Sequence, residues 1–176
     1  GCMQLLQVVL NNSELELTAP QVTGLWEGFS SGTREDVDMF FQWLHESCPV
    51  DYGGHAAVTT YYGAPAAAST SATVKTDTCM TEEALEHVFL DLVGAQYDMK
   101  TLTEIGYEAI EKLFRYINGK GKNLLYSSHA TNYQVASSVL IGFDVLMKVY
   151  LLSRDTSIVE KVSNFLITLQ VKLSPA

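Results

Sequence analysis

A histidine and a cysteine stand three residues apart at His45 and Cys48. Near a helix end that spacing brings an imidazole beside a thiol, the seed of a cysteine hydrolase in which the base takes the proton of the nucleophile. Pro49 follows directly, and the sequence nearby offers neither an orienting Asn or Asp nor an oxyanion loop. With those parts missing, the expected role of the pair is structural. His87, with Glu83 and Glu86 on the same stretch, could ligate a metal or move a proton. The same residues also compose a solvated acidic helix face, which is the expectation taken here. Asp144 interrupts the most apolar stretch of the chain and must be paired, cap a backbone or reach solvent. Lys148 at i+4 stands in the favourable acid-first orientation to be its partner. Gly142, two residues earlier, would let a neighbouring helix approach closely. Gly119-Lys120-Gly121-Lys122 lacks the spacing of a phosphate-binding loop and reads as a helix stop. Ser69, Thr70, Ser71 and Thr73 are hydroxyls in a biased segment and define no site. No catalytic, cofactor-binding or metal-ligating residue is assigned.

The elements that would position these groups are helical almost throughout. Leu5, Leu6, Val9 and Leu10 make a stripe on a short first helix, ended by Asn11-Asn12-Ser13. Thr18 caps a second helix, with Pro20 in its first turn and Val22, Leu25, Trp26 and Phe29 on one face. Ser30-Ser31-Gly32 stops it, and Thr33 starts a third that carries Val37, Phe40, Phe41 and Leu44, with Trp43 on the flank. The aromatic residues of this pair are expected in the core. Residues 49–80 are rich in Gly, Ala, Ser and Thr, hold the turn signals Gly53-Gly54 and Gly63-Ala64-Pro65, and read as one flexible insertion. Within it, Val58 to Tyr62 could pair transiently as a strand. Thr81 opens a fourth helix with the stripe Leu85, Val88, Phe89 and Leu92. Thr101-Leu102-Thr103-Glu104 is a capping box for a fifth, closed by Asn118-Gly119. A polar loop then runs to about Asn132. The sixth helix spans Tyr133 to Ser153 and is apolar on most faces, so it should be buried between neighbours. Asp155 caps the last helix, with Ile158, Val159, Val162, Phe165, Leu166, Leu169 and Val171.

Seven helices joined by mostly short links, with no alternating strands, predict an all-α fold of armadillo- or HEAT-like stacked helical hairpins; with no strict internal repeat in the sequence, a compact irregular bundle is the rival architecture. The chain has 176 residues, 47% of them hydrophobic, enough for one domain with a real core. Its net charge of −9 comes without a basic stripe, which disfavours nucleic acid and anionic membrane as partners. No apolar run has the ~20 residues of a membrane span, and no secretory leader pattern is legible. Three cysteines without CxxC spacing fit neither a disulfide framework nor a zinc site. Reduced thiols point to the cytoplasm, and with it the nucleus.

Several segments resemble, in the same order, a non-catalytic armadillo-like helical region of the giant ubiquitin-specific proteases, the fat-facets-type deubiquitinases. Val139-Leu140-Ile141-Gly142-Phe143-Asp144-Val145-Leu146 is similar to a helix start in that region. It leads to the turn Ser153-Arg154-Asp155 and a closing helix ending near Leu173-Ser174-Pro175. Thr18-Ala19-Pro20-Gln21 with Leu25-Trp26, Phe41-Gln42-Trp43-Leu44, and Leu102-Thr103-Glu104-Ile105-Gly106-Tyr107 through Phe114 and Asn118 resemble three further helices. The matches cover most of the chain outside residues 49–80. The resemblance implies a scaffold or protein-interaction segment of a larger thiol protease that removes ubiquitin from substrates. The implied partners are other parts of that chain, ubiquitinated substrates or regulators; no cofactor, nucleic acid or membrane is implied. The family's Gly-Asn-Thr-Cys-Tyr box and distant His box are not in this sequence, so no catalytic residue carries over. A helical-repeat adaptor unrelated to ubiquitin is the rival expectation, and a small hydrolase built on Cys48 and His45 is a further one.

Overall fold

Each helix begins where the sequence can satisfy its open N–H groups. The structure, a computed structural model, describes residues 15–48, 79–126 and 133–173. Helix α1 (Ala19–Ser30) starts after Thr18, whose backbone N–H donates to Gln21 Oε1 at 2.9 Å. Helix α2 (Arg34–Ser47) has a reciprocal cap: Thr33 N–H donates to Asp36 Oδ2 (2.7 Å) and Asp36 N–H to Thr33 Oγ1 (3.3 Å). Helix α3 (Glu82–His87) is capped by Thr81 and runs directly into a π-helical segment, Val88–Gln96. A 3₁₀ turn, Met99–Thr101, leads to α4 (Glu104–Lys120). A small antiparallel ribbon, β1 (Leu124–Tyr126) and β2 (Tyr133–Val135), pairs Leu124 with Val135 and Tyr126 with Tyr133. Helices α5 (Phe143–Leu152) and α6 (Thr156–Val171) complete the described chain.

The helices form three hairpins, α1–α2, α3–α4 and α5–α6, stacked side by side. Helix α1 packs on α3, and the π segment on α5; α2 packs on α4. Helix α4 meets α6 through the edge-on ring pair Phe114–Phe165, centroids 5.6 Å apart, and through Lys161–Glu104 at 3.0 Å. Odd-numbered helices therefore make one layer and even-numbered helices the other, with a single apolar core running between them. The all-α fold of stacked hairpins expected from the sequence is what the chain adopts. No helix among the described residues is long and apolar enough to cross a membrane.

Across the junction of α3 and the π segment, Ala84, Leu85, Val88, Phe89, Leu92 and Val93 are all buried at a four-residue spacing. In an α-helix that spacing drifts about 40° per step, and the wider turn of the π segment shifts it back the opposite way.

Several sequence expectations need correction. Residues 79 and 80 do not belong to the insertion: Cys79 and Met80 are buried, and Leu17 N–H donates to Cys79 O (2.8 Å) while Thr81 N–H donates to Leu17 O (3.1 Å). The cap of α4 is Thr103 rather than Thr101; its hydroxyl accepts from Gly106 N–H (3.1 Å) and donates to Asp38 of α2 (2.6 Å). Helix α4 does not stop at Asn118-Gly119; the chain turns at Lys122, the described non-glycine residue with positive φ, at 56°. The long sixth helix is shorter than expected. Tyr133–Val135 is a strand, and α5 begins only after Gly142, whose φ of +74° is left-handed. Nor is α5 buried on all sides, since Phe143, Tyr150, Leu151 and Leu152 are exposed. The expected first helix and the Val58 to Tyr62 segment lie outside the described residues, as does nearly all of the insertion.

Candidate functional site

The even-numbered layer carries a groove of about 490 Å³ between the parallel helices α4 and α6, bounded at one end by β2. Helix α4 contributes Tyr107, Glu108, Glu111 and Arg115 at helical spacing; α6 contributes Lys161, Asn164, Phe165 and Thr168, with Lys172 just past its end. At its centre Arg115 is held on three sides. Its Nε and Nη2 donate to Glu111 Oε1 at 2.9 and 2.6 Å, and its guanidinium carbon lies 4.4 Å from the Phe165 ring centre and 5.3 Å from that of Tyr133. Burial, the largest single influence, would lower the Arg115 pKa, but the charge and hydrogen bond of Glu111 together with Tyr133 and Tyr126 outweigh it and the net direction is upward. Lys172 Nζ sits 4.3 Å from the Tyr133 ring centre, so that ring has a cation on either account.

Two hydroxyls in the groove are buried without a hydrogen bond, those of Tyr107 and Tyr133. The residues themselves are 1% and 7% exposed. Burial, then the Glu111 carboxylate, pushes the Tyr107 pKa up; burial also raises that of Tyr133, against the Arg115 charge. These neighbours lie close enough to be felt, yet neither closes a bond to the hydroxyl. A buried polar group without a partner is rare enough to need a reason, and a ligand is one. A second cavity, about 600 Å³ between α1, α2 and the turn after the π segment, is lined by Trp26, Arg34, Tyr97 and Lys100 among others. Neither of the two unbonded hydroxyls belongs to its lining.

The residues singled out by sequence go elsewhere. Cys48 is buried at the end of α2, and burial pushes its thiol up to about 12 despite nearby Lys112. A nucleophilic cysteine needs the opposite shift. His45 is lowered by burial and then by Lys112, whose ammonium donates to the His45 carbonyl at 2.5 Å. The pair is thus a helix terminus held by α4, with no activated thiol.

His87 is not paired with Glu83 or Glu86. Its Nδ1 meets Asp91 Oδ2 at 2.8 Å and its Nε2 meets Thr23 Oγ1 at 2.9 Å. The i, i+4 spacing to Asp91 was readable in the sequence; Thr23, 64 positions away on α1, was not. Hydroxyl, imidazole and carboxylate lie in the order of a hydrolytic triad. However, Thr23 Oγ1 donates to Ala19 O (2.9 Å), and the N–H groups beside it are inside the helical ladder, where they cannot bind an oxyanion. The line clamps α1 to α3. No group of His, Cys, Asp and Glu among the described residues is placed to hold a metal ion.

Asp144 lies exposed in the first turn of α5, where the helix dipole favours it. Lys148 is not its partner; the ammonium donates to Gly94 O of the π segment at 2.8 Å. Gly142 does permit a close approach, since a Cβ there would stand 2.0 Å from Phe89 Cε1. Trp26, Phe40, Phe41 and Trp43 are core, as expected. The sequence marked Asn118 only as a helix stop and as part of the resemblance, whereas it is fully buried. Its side chain donates to Phe114 O and Ile141 O and accepts from Ile141 N–H, all at 2.9 Å. The hydroxyls of residues 69–73 lie outside the described residues.

No protein-family model matches this chain, and no curated protein matches it.

Proposed function

We propose that the chain is a non-catalytic scaffold and protein-interaction segment of a large ubiquitin-specific cysteine protease whose catalytic domain lies elsewhere in the polypeptide. One observation carries the scaffold part: the last hairpin offers a further hairpin the same kind of edge that the earlier ones use to stack. On α5, Lys148 faces the π segment, while Phe143, Met147 and Tyr150 follow i, i+4, i+7 on another side. On α6, Ser157 and Lys161 bond Glu104 of α4, while Val159, Leu166 and Ile167 lie away from them. Apolar residues on the outer edge of a stacked hairpin are what a continuing repeat array requires.

The link to ubiquitin rests on the collinear resemblance of the motifs. In this fold they fall at helix starts and turns: Thr18 before α1, Thr103 before α4, Gly142 before α5 and Asp155 before α6. The partners in this reading are neighbouring parts of the parent chain and ubiquitinated substrates or their regulators, and no cofactor enters it. The deciding test is to read the complete open reading frame for a Gly-Asn-Thr-Cys-Tyr box and its distant His box. Both are expected. Their absence would remove the protease and leave a helical adaptor.

A further inference from the structure

The groove between α4 and α6 has unspent bonding capacity. The chain as a whole is acidic, at −9, and in this groove Arg115, Lys161 and Lys172 are balanced by Glu108 and Glu111 in the wall and Glu104 beside Lys161, so any local excess of positive charge is confined to the Lys172 end. Lys161 is taken by Glu104 and Arg115 by one oxygen of Glu111. Lys172 has no carboxylate partner among the described residues, and its ammonium lies against the Tyr133 ring. The Tyr133 hydroxyl, buried and unbonded, stands at the same end. The guanidinium keeps N–H donors that Glu111 does not use, in a position fixed by two rings. Preorganised donors that surround an unfilled space and outnumber their acceptors call for an oxyanion. Further along the groove, the Asn164 carboxamide carries both N–H donors and an acceptor oxygen, the two kinds of group that a peptide bond pairs with.

We propose that this groove binds an extended acidic peptide segment of a partner protein, with a side-chain carboxylate between Lys172 and Arg115 bonded by the Tyr133 hydroxyl, and its backbone on Asn164. The proposal deepens the scaffold reading by giving the partner's chemistry. Because binding is read on this chain alone, an open reading frame without a protease box would leave it standing.

The test is fluorescence anisotropy with the full chain and a short fluorescein-labelled peptide of alternating glutamate and serine, beside its glutamine counterpart. The glutamate peptide should bind, and bind less as salt is added; the glutamine peptide should not. Tyr133→Phe removes a hydroxyl that bonds nothing, so its thermal midpoint should match the wild type while peptide affinity drops about tenfold. Lys172→Gln, which gives up the ammonium's contact with the Tyr133 ring, should weaken the peptide likewise with at most a small fall in thermal midpoint. Equal binding of both peptides, wild-type affinity in both variants, or no binding by the wild type would overturn the proposal. So would displacement of the peptide by an equal concentration of free glutamate, which would make the site one for a small carboxylate.

Discussion

Gly142 has two separate reasons to be glycine. Its φ of +74° disfavours any L side chain, and an added Cβ would stand 2.0 Å from the ring of Phe89, itself fully buried. Left-handed backbone costs on the order of 1 kcal/mol and forced overpacking ~1–3 kcal/mol more. Gly142→Ala should therefore lose about 3 kcal/mol in urea unfolding; a loss below ~0.5 kcal/mol would mean that the entry to α5 is not built as described. Asn118 acts at the same point from the other side, fastening the 136–142 segment to α4 by two bonds to Ile141 at 2.9 Å, while a third to Phe114 O steadies the side chain on its own helix. Asn118→Ala leaves the half-buried Ile141 amide without its partner and should cost ~1–3 kcal/mol.

Asp36 gives a pH-dependent case. Bonds from Thr33 backbone and side chain hold its carboxyl below the ordinary 3.8. A depressed carboxyl stabilises the fold at pH values above the unfolded pKa, and that contribution fades as pH falls through the folded one. Asp36→Ala should be less stable than wild type at neutral pH, and the difference should close as the pH drops below 3.8. Parallel denaturation series would show it. Caps such as Thr33 and Asp155 were legible because their partners lie two or three residues away. Asn118 and Thr23 were not, because their partners are brought to them by packing alone.

Among the elements, α1, α2, α4 and α6 were readable from their 3.6-residue stripes, and the failures cluster where two periods compete. Tyr133 and Val135 sit in an apolar run that periodicity alone assigns equally to helix or strand. Two contacts settle it, the pairing with Leu124–Tyr126 and the donation of Val135 N–H to Lys172 O at 2.8 Å. Likewise, the apolar abundance of α5 suggested burial all round, whereas its buried face is only Val145, Leu146 and Val149. That difference is measurable. Leu146 is fully buried and Leu151 is 68% exposed. Leu146→Ala should cost ~2–5 kcal/mol, and Leu151→Ala no more than ~0.5 kcal/mol. Chemical denaturation of the two variants side by side is the check, and similar losses would contradict the two-sided character of the helix.

At the scale of the molecule, the stack is legible in the order of its helices but not in their contacts. Short links forced sequential hairpins, while the i to i+2 packing that makes two layers depends on which face each helix turns to its neighbour. The groove between α4 and α6 is a product of that packing, so its residues carried no signal in sequence: Phe165 read as part of an apolar helix face, and nothing in the sequence set Tyr107, Lys161 or Lys172 apart as a site. The same packing leaves the α5–α6 edge apolar, with Tyr150 at 39% and Ile167 at 55% exposure. In water such an edge gains about 25 cal/mol for each Å² it covers, so two copies of this chain should associate through it. Light scattering after gel filtration should show a mass that rises with concentration. Ile167→Asp and Tyr150→Asp should each shift it towards monomer while leaving helicity unchanged, because both side chains sit outside the core. A monomer at every concentration would mean that the edge is too weakly apolar to stack a further hairpin, and the repeat-array basis of the scaffold reading would fall with it.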